Sequence, residues 1–326
     1  MGVEAFLAEW QNDSPVILVH TSGSTGEPKP LWVEKRRMEA SARMTCDFLG
    51  LRQGDTALLC MPLDYIAGKM MVVRALTCGL KLVEVPVSGH PQWDGHIDFA
   101  AMVPMQVYNL LQSQEGRQRL MQINHLIIGG GAIDEKMEEE LRSFPHAVWS
   151  TYGMTETLSH IALRRLNGSE ASEWYTPFEN VSVSLADDGC LLIDAPLVCD
   201  HPLKTNDMAE MCDDGRFRIL GRKDNTVCCG GIKIQIEEVE RMLRPLLSES
   251  FMITKIKDEK FGEVLSLLTE DSDLQALRIL CEEHLPKFWQ PKHYFCVDQL
   301  PMTETGKPAR KQAELMAMHL RVLQSK

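Results

Sequence analysis

The run Thr21-Ser22-Gly23-Ser24-Thr25-Gly26-Glu27-Pro28-Lys29-Pro30 concentrates groups suited to binding an anion. Its four hydroxyls and two glycines let O–H and backbone N–H donors crowd round one ligand, and Lys29 adds a mobile positive charge. That is phosphate chemistry. The spacing is not that of a Walker A loop, and Pro28 and Pro30 disfavour a helix starting at Lys29. The run is expected to turn back as a flap between extended segments. Plain linkers share this composition. However, Val16-Ile17-Leu18-Val19 reads as a buried strand, and a linker rarely leaves a core strand in this way.

Strand-like and helical segments alternate behind the loop. Met38, Ala42, Cys46 and Leu49 recur at helical spacing and Gly50 follows as a stop. Thr56 to Met61 reads as a strand, Gly68 to Leu76 as a helix, Leu80 to Val87 as a strand, and Val107 to Leu111 as part of a helix. The strand His125 to Ile128 and a helix from Glu135 to Ser143, capped by Asp134, come next. This alternation implies an α/β layer with parallel strands. Beyond about Ser172 the texture changes to hairpins at Asp187-Asp188-Gly189 and Asp213-Asp214-Gly215. A separate pattern starts near Arg222 to Asp224: strands at 232–236, 251–257, 264–269 and 293–297, and helices at 237–247, 273–285 and 312–323. The expected class is therefore α/β, with a larger N-terminal domain of mixed sheets and helices over 1–222 and a small C-terminal α+β domain over 223–326.

A chain of 326 residues allows about two domains. A net charge of -12 and a pI near 5.4 argue against a general nucleic-acid or membrane-surface role, which needs a basic footprint, though not against a local basic pocket. Ten cysteines include Cys228-Cys229 but no C-x-x-C pair, so free buried thiols in a reducing cytoplasm are expected. The start of the chain, with Glu4 and Glu9, has no signal-peptide pattern, and no apolar run reaches bilayer-spanning length. Met1-Gly2 is followed by Phe6, where a myristoylation motif has Ser or Thr.

Four segments together resemble the adenylate-forming superfamily, the acyl-CoA synthetases and their adenylation-domain relatives. They are Thr21 to Lys29, Ser150-Thr151-Tyr152-Gly153-Met154-Thr155-Glu156-Thr157, the stretch from Lys204-Thr205-Asn206-Asp207 to Gly221-Arg222-Lys223-Asp224, and Thr303-Glu304-Thr305-Gly306-Lys307. The resemblance covers residues 15 to about 312 and implies activation of a carboxylate with ATP, release of pyrophosphate and transfer of the acyl group to a thiol. It assigns the β- and γ-phosphates to Thr21, Ser22, Gly23, Ser24, Thr25, Gly26 and Lys29. Tyr152 and Gly153 fall in the adenine-stacking segment, Thr155 at the α-phosphate, and Glu156 at Mg²⁺. Gly129, Gly130, Gly131 and Ala132 correspond to the segment along the adenine edge. Asp207 corresponds to the acceptor of the ribose hydroxyls, with Asn206 where the family usually has Gly, and Arg222 to a ribose or phosphate contact. Lys307 corresponds to the lysine that neutralises charge as pyrophosphate leaves. The small domain would then turn about Asp224, so that Gly230, Gly231 and Lys233 line a path for the pantetheine arm of coenzyme A.

Two departures bear on the substrate. Family members carry a long segment before the corresponding loop, whereas here the loop begins at residue 21. Relative to that pattern the N-terminal domain is shortened, which implies an enzyme of reduced size with edges covered by a second copy, a homodimer. In the acyl-pocket segment this chain has Tyr65-Ile66-Ala67-Gly68-Lys69. The segment and the length are most similar to the compact o-succinylbenzoate-CoA ligases of menaquinone biosynthesis. Tyr65, Ala67 and Gly68 would face the acyl group, and Lys69 either faces the second carboxylate of a diacid or is a solvated helix lysine. The expected activity is thus an ATP-, Mg²⁺- and coenzyme A-dependent ligase for a small-molecule carboxylate, cytoplasmic, with no nucleic-acid partner and no membrane insertion. Alternatives are another small aryl- or acyl-CoA ligase, a carrier-loading adenylation enzyme, or a degenerate nucleotide-binding subunit.

Overall fold

A computed structural model describes residues 1–20, 30–131, 133, 135–247, 250–302 and 308–324. Helix α1 (Val3–Gln11) precedes β1 (Val16–His20) and β2 (Pro30–Glu34), which form an antiparallel sheet of their own with Val19 opposite Leu31. This is the expected return between extended segments, and the run 21–29 itself lies outside the described residues. Ile17, Val19 and Val33 are buried, which fixes the register by the hydrophobic face.

Helix α2 (Lys35–Leu49) buries Met38, Ala42, Cys46 and Leu49 as their spacing requires. Gly50 ends it at φ 67, donating its N–H to the Asp47 and Cys46 carbonyls, a left-handed cap in which glycine carries no Cβ penalty. The chain then alternates through β3 (Thr56–Leu59), α3 (Ile66–Cys78), β4 (Lys81–Glu84), β5 (Ile97–Met102), α4 (Pro104–Leu111), α5 (Gln114–Leu120), β6 (Ile123–Ile128), α6 (Glu135–Leu141) and β7 (Ala147–Gly153). Strands β8 (His160–Arg165) and β9 (Thr176–Pro177) complete a seven-stranded sheet in the order β4-β3-β5-β6-β7-β8-β9. Its first five strands are parallel, β8 runs antiparallel to β7 and β9 antiparallel to β8, so the sheet is mixed. Consecutive residues of β3, β5 and β6 are buried, the continuous apolar pattern of strands covered on both faces. Fully buried side chains such as Leu58 and Phe99 each stabilise this layer by about 1.5–3 kcal/mol.

Strands β10 (Ser182–Leu185), β11 (Cys190–Asp194), β12 (Leu203–Met211) and β13 (Phe217–Arg222) form the expected hairpins in one sheet, in chain order. Then come β14 (Thr226–Cys229), β15 (Ile232–Gln235), α7 (Ile236–Leu243), β16 (Phe251–Asp258), β17 (Gly262–Thr269), α8 (Leu274–His284), β18 (His293–Cys296) and α9 (Arg310–Gln324). The chain divides into two units: Met1–Ser184 with Leu192–Lys204 and Met211–Arg218, and Leu185–Leu191 with Thr205–Glu210 and Ile219–Lys326. The second unit has its own core, in which Ile234, Val239, Leu243, Ile253, Leu267, Cys281 and Ala317 are buried together. Its sheet runs β15-β14-β17-β16, and β18 pairs with β17. At the β16 edge, Glu240 accepts the Ile253 N–H at 2.8 Å, and Arg310 meets the Ile253 carbonyl at 3.0 Å and both Glu240 carboxylate oxygens at 2.6 Å.

All ten cysteines are free thiols; Cys228 and Cys296 are exposed, a departure from the expectation that they would be buried. Among the described residues no helix is long and apolar enough to cross a membrane.

Candidate active site

The carboxyl ends of the parallel strands are where open α/β sheets gather ligands, and two of the segments singled out in sequence, 129–131 and 150–153, lie there. Ile128 at the end of β6 pairs with Ser150 of β7, so the glycine segment and the Ser150–Gly153 segment run on side by side. A Cβ on Gly129 would stand 2.2 Å from Thr151 Oγ1, and Gly130 has φ +78, so packing and backbone conformation each select glycine here. Ala132 lies outside the described residues.

Strand β7 ends at Gly153, where a Cβ would meet the Ser159 carbonyl oxygen at 2.4 Å. The chain then folds into a helical turn, Thr155–Thr157. Thr157 ties the turn together: its hydroxyl accepts from Met154 N–H at 3.0 Å and lies 2.7 Å from the Ser159 carbonyl. The next residue, Leu158, is buried and held at φ 65, a backbone state unusual for leucine that the surrounding bonds must enforce. This turn presents Thr155 and an exposed Glu156. The Glu156 carboxylate has no cationic partner among the described residues, and its backbone carbonyl accepts the Cys199 thiol at 3.3 Å. The Tyr152 ring lies against Tyr175 (5.8 Å between centroids) and edge-on to Phe217 (5.1 Å, 77°).

Beneath the turn runs a buried chain of polar groups. Arg74 Nη2 donates to Ser159 Oγ at 2.7 Å, Ser159 Oγ is 3.2 Å from His160 Nδ1, and His160 Nε2 is 3.2 Å from Thr45 Oγ1. Thr45 in turn donates to the Ser41 carbonyl at 3.1 Å. Because the Thr45 proton goes to the Ser41 carbonyl, Thr45 Oγ1 accepts from His160 Nε2–H, which leaves Nδ1 to accept the Ser159 proton. Burial, reinforced by Arg74, holds the His160 pKa well below the ordinary histidine value. Arg74 is 2% exposed, and burial lowers its pKa to about 10. It has no carboxylate partner among the described residues, and its Nε has no hydrogen-bond partner there. Sequence reasoning passed over Arg74; the available signal was one arginine inside the apolar run Met70 to Ala75.

Tyr65 and Ala67 are exposed at the start of α3, whereas Gly68 is buried, and a Cβ there would meet the Pro62 carbonyl oxygen at 2.3 Å. Of the two alternatives for Lys69, the solvated helix lysine is overturned: Lys69 is 4% exposed, donates to the Leu18 carbonyl at 2.7 Å and lies 5.9 Å from the Phe6 ring centroid. Burial lowers its pKa against the opposing pull of Glu9 and Asp64. The ladder explains this partner. Lys35 N–H bonds to the Pro15 carbonyl, so Ile17 and Val19 face β2 and the Leu18 carbonyl points away from it. In that position the Leu18 carbonyl needs another donor.

In the second unit, Asp207 lies within β12, with its N–H bonded to Thr205 Oγ1 at 3.0 Å. Arg222 places Nη1 at 3.3 Å from the Asp207 carboxylate and Nη2 at 3.3 Å from that of Asp224. Lys255 reaches the carbonyls of Asp224 and Thr226 at 3.5 and 3.4 Å. Asp207, Arg222 and Asp224 thus meet. Gly230 and Gly231, at φ 58 and 86, make the two-residue turn between β14 and β15, where both central positions need positive φ. Lys233 is exposed on β15. Thr21 to Lys29 and Thr303 to Lys307 lie outside the described residues.

The family described as AMP-binding enzyme matches residues 4–193. A 2-succinylbenzoate--CoA ligase of Listeria monocytogenes serotype 4b (strain F2365) is 26% identical over 343 residues, covering 94% of this chain and 71% of that protein. The crystal structure of an acyl-CoA synthetase (AMP-forming)/AMP-acid ligase II-like protein from Dyadobacter fermentans DSM 18053 superposes with TM-score 0.66 at 30% identity, covering 96% of this chain and 92% of that one. The o-succinylbenzoate CoA synthetase (MenE) from Bacillus subtilis, in complex with the acyl-adenylate intermediate OSB-AMP, shares the fold with TM-score 0.75 at 23% identity, covering 91% and 68%.

Proposed function

Since this chain belongs to the AMP-binding enzyme family, we propose that it is an ATP-dependent acid-thiol ligase. It adenylates o-succinylbenzoate with release of pyrophosphate and transfers the acyl group to coenzyme A, the step that gives it a place in menaquinone biosynthesis. The observation that carries the reading is the Tyr152–Glu156 segment at the carboxyl end of β7, beside the glycine run that continues β6. The similarity to 2-succinylbenzoate--CoA ligases over most of the chain supports the substrate class.

In this reading Tyr152 stacks on adenine, the Gly130–Ala132 backbone meets the base edge, and Thr155 donates to the α-phosphate. Asp207 accepts the ribose hydroxyls while Arg222 contacts ribose or phosphate. Thr21 to Lys29 holds the outgoing pyrophosphate, and Lys307 neutralises the charge that develops there. Glu156 fits a magnesium ligand: its carboxylate is exposed and has no cationic partner among the described residues, and one carboxylate with substrate phosphates suits a hard cation that keeps several waters. Bound there, the cation would offset phosphate charge.

Residues 1–222 act as the ATP- and acyl-binding domain, and 223–326 as the mobile lid hinged at Asp224. Gly230, Gly231 and Lys233 serve the coenzyme A arm. Tyr65, Ala67, Gly68 and Lys69 face the acyl group, although the Lys69 ammonium can meet a substrate carboxylate only by leaving the Leu18 carbonyl. Arg74 is a second candidate for that carboxylate, because its guanidinium is buried with no anion among the described residues, which is costly, and a bound carboxylate would relieve it. The proposal includes a homodimer and a cytoplasmic setting, where ATP and coenzyme A are supplied.

ATP–pyrophosphate exchange across a carboxylate panel tests the proposal. Exchange strongest with o-succinylbenzoate is expected. Exchange with no carboxylate would leave a nucleotide-binding subunit instead.

A further inference from the structure

We propose that Tyr175 is a positioning residue for the nucleotide, locking the Tyr152 ring and tying it to helix α6 through Arg164 and Glu138. The inference rests on the reading of Tyr152 as the adenine platform. Ser150 and Tyr152 are two residues apart in β7 and therefore project from the same face. Tyr175 engages both: its Oη is 2.8 Å from Ser150 Oγ, and its ring lies 5.8 Å from that of Tyr152 at 56°.

Tyr175 is itself fixed from several directions. Its N–H donates to the Phe217 carbonyl at 2.7 Å and its carbonyl accepts the Phe217 N–H at 3.1 Å, a backbone pairing that sets the two residues side by side. Its ring stacks on Phe217 (5.5 Å, 24°), and the fully buried Phe217 ring stands edge-on to Tyr152. The three rings therefore close a triangle, with Tyr152 held from two sides.

The Arg164 guanidinium lies 5.7 Å from the Tyr175 ring centroid and donates to the Ser172 carbonyl at 3.2 Å. It also makes a two-bond pair, at 3.1 and 2.7 Å, with Glu138 of α6. Helix α6 begins at Glu135, just beyond the glycine segment. One tyrosine thus links the strand that carries the stacking ring to the helix that follows the adenine-edge segment. A ring held in place before binding does not lose side-chain freedom when the base arrives, and affinity gains accordingly. Filling space would not require the hydroxyl, yet it is bonded to Ser150, inside the motif strand.

The test measures ATP binding to the full chain by calorimetry, alongside steady-state kinetics, for the wild type, Y175A, Y175F and S150A. Y175A should weaken ATP binding and raise the ATP KM roughly two- to tenfold, the range expected of an aromatic pair. The kcat at saturating ATP and the KM values for carboxylate and coenzyme A should stay within about twofold, because only nucleotide binding uses the ring. Y175F should recover most of the loss, and S150A should lose no more than Y175F, because both remove the Ser150 bond whereas Y175F also removes the hydroxyl's interaction with Arg164. Should Y175A fail to fold, Y175F and S150A still decide, since a small ATP-specific loss shared by both supports the proposal. If the wild type binds ATP and none of the variants binds it more weakly, or if all three KM values rise together, the positioning role is overturned while the adenine-platform reading stands. A wild type that does not bind ATP refutes that underlying reading.

Discussion

Replacing Glu240 with alanine should destabilise the second unit by about 3–5 kcal/mol, the cost of stranding one member of a buried ion pair. Strand β16 is at the edge of its sheet, and its Ile253 N–H and C=O point away from β17. Glu240 and Arg310 occupy that edge, satisfying Ile253 and each other through two contacts at 2.6 Å. The alanine leaves a largely buried guanidinium without its anion and a fully buried amide without an acceptor. Folded domains are stable by only about 5–15 kcal/mol, so the variant should lie near the threshold of folding.

The double variant Glu240→Leu with Arg310→Met removes both charges together. It should cost only the orphaned Ile253 N–H and C=O, about 1–3 kcal/mol each, because apolar residues of similar volume replace a buried pair at little net penalty. Urea unfolding followed by circular dichroism, extrapolated linearly to water, measures Glu240→Ala, the double variant and the two single variants that compose it. The reasoning fails if Glu240→Ala costs less than about 1 kcal/mol, or if the double variant costs the sum of its singles.

Other outcomes follow from the same geometry. His160 is held neutral by burial and by Arg74, so its folded pKa lies below its unfolded one. The stability this gives is complete above about pH 6.5 and is lost as the pH falls, by up to about 1.4 kcal/mol per unit. His160→Asn should flatten that slope in urea midpoints taken from pH 7 to 5; an unchanged slope would exonerate His160. Arg74→Met should raise the KM for o-succinylbenzoate roughly tenfold or more, as loss of a charged hydrogen bond does, while leaving the ATP KM unchanged. Equal rises in both would place Arg74 elsewhere. Lys307→Ala should slow adenylate formation about a hundredfold or more, yet spare thioester formation from preformed acyl adenylate. Equal loss in both half-reactions would count against the hinged lid.

Where periodicity and caps agreed, the fold was readable in the sequence. Helix α2 carries its apolar stripe and its glycine stop, and the two Asp-Asp-Gly turns define their hairpins. Strand β5 was missed because Asp98 interrupts its apolar run. The structure shows why an acid is tolerated there, since Asp98 accepts the N–H and hydroxyl of Thr56 and the Asn124 amide. Helix α1 is short and lacks a side-chain cap, so little in its composition announces it. At the site, motif residues were legible because order and spacing identify them. Arg74, His160 and Tyr175 were not, since their significance lies in partners brought from α2, β7 and β13 by folding. Lys69 shows the same limit from the other direction: a lysine near a helix start reads as solvated until an unpaired strand carbonyl is seen beside it.

Among the described residues, β1 and β2 share no backbone ladder with the seven-stranded sheet. Their cross-strand amides should therefore exchange with deuterium as one cooperative set, released together at a free energy below that of global unfolding. The bonds from Lys69 to Leu18 and from Lys35 to Asn12 act as their moorings. Opening this pair of strands leaves every hydrogen bond between strands of the large sheet in place, so β1 and β2 have a thermodynamic identity of their own.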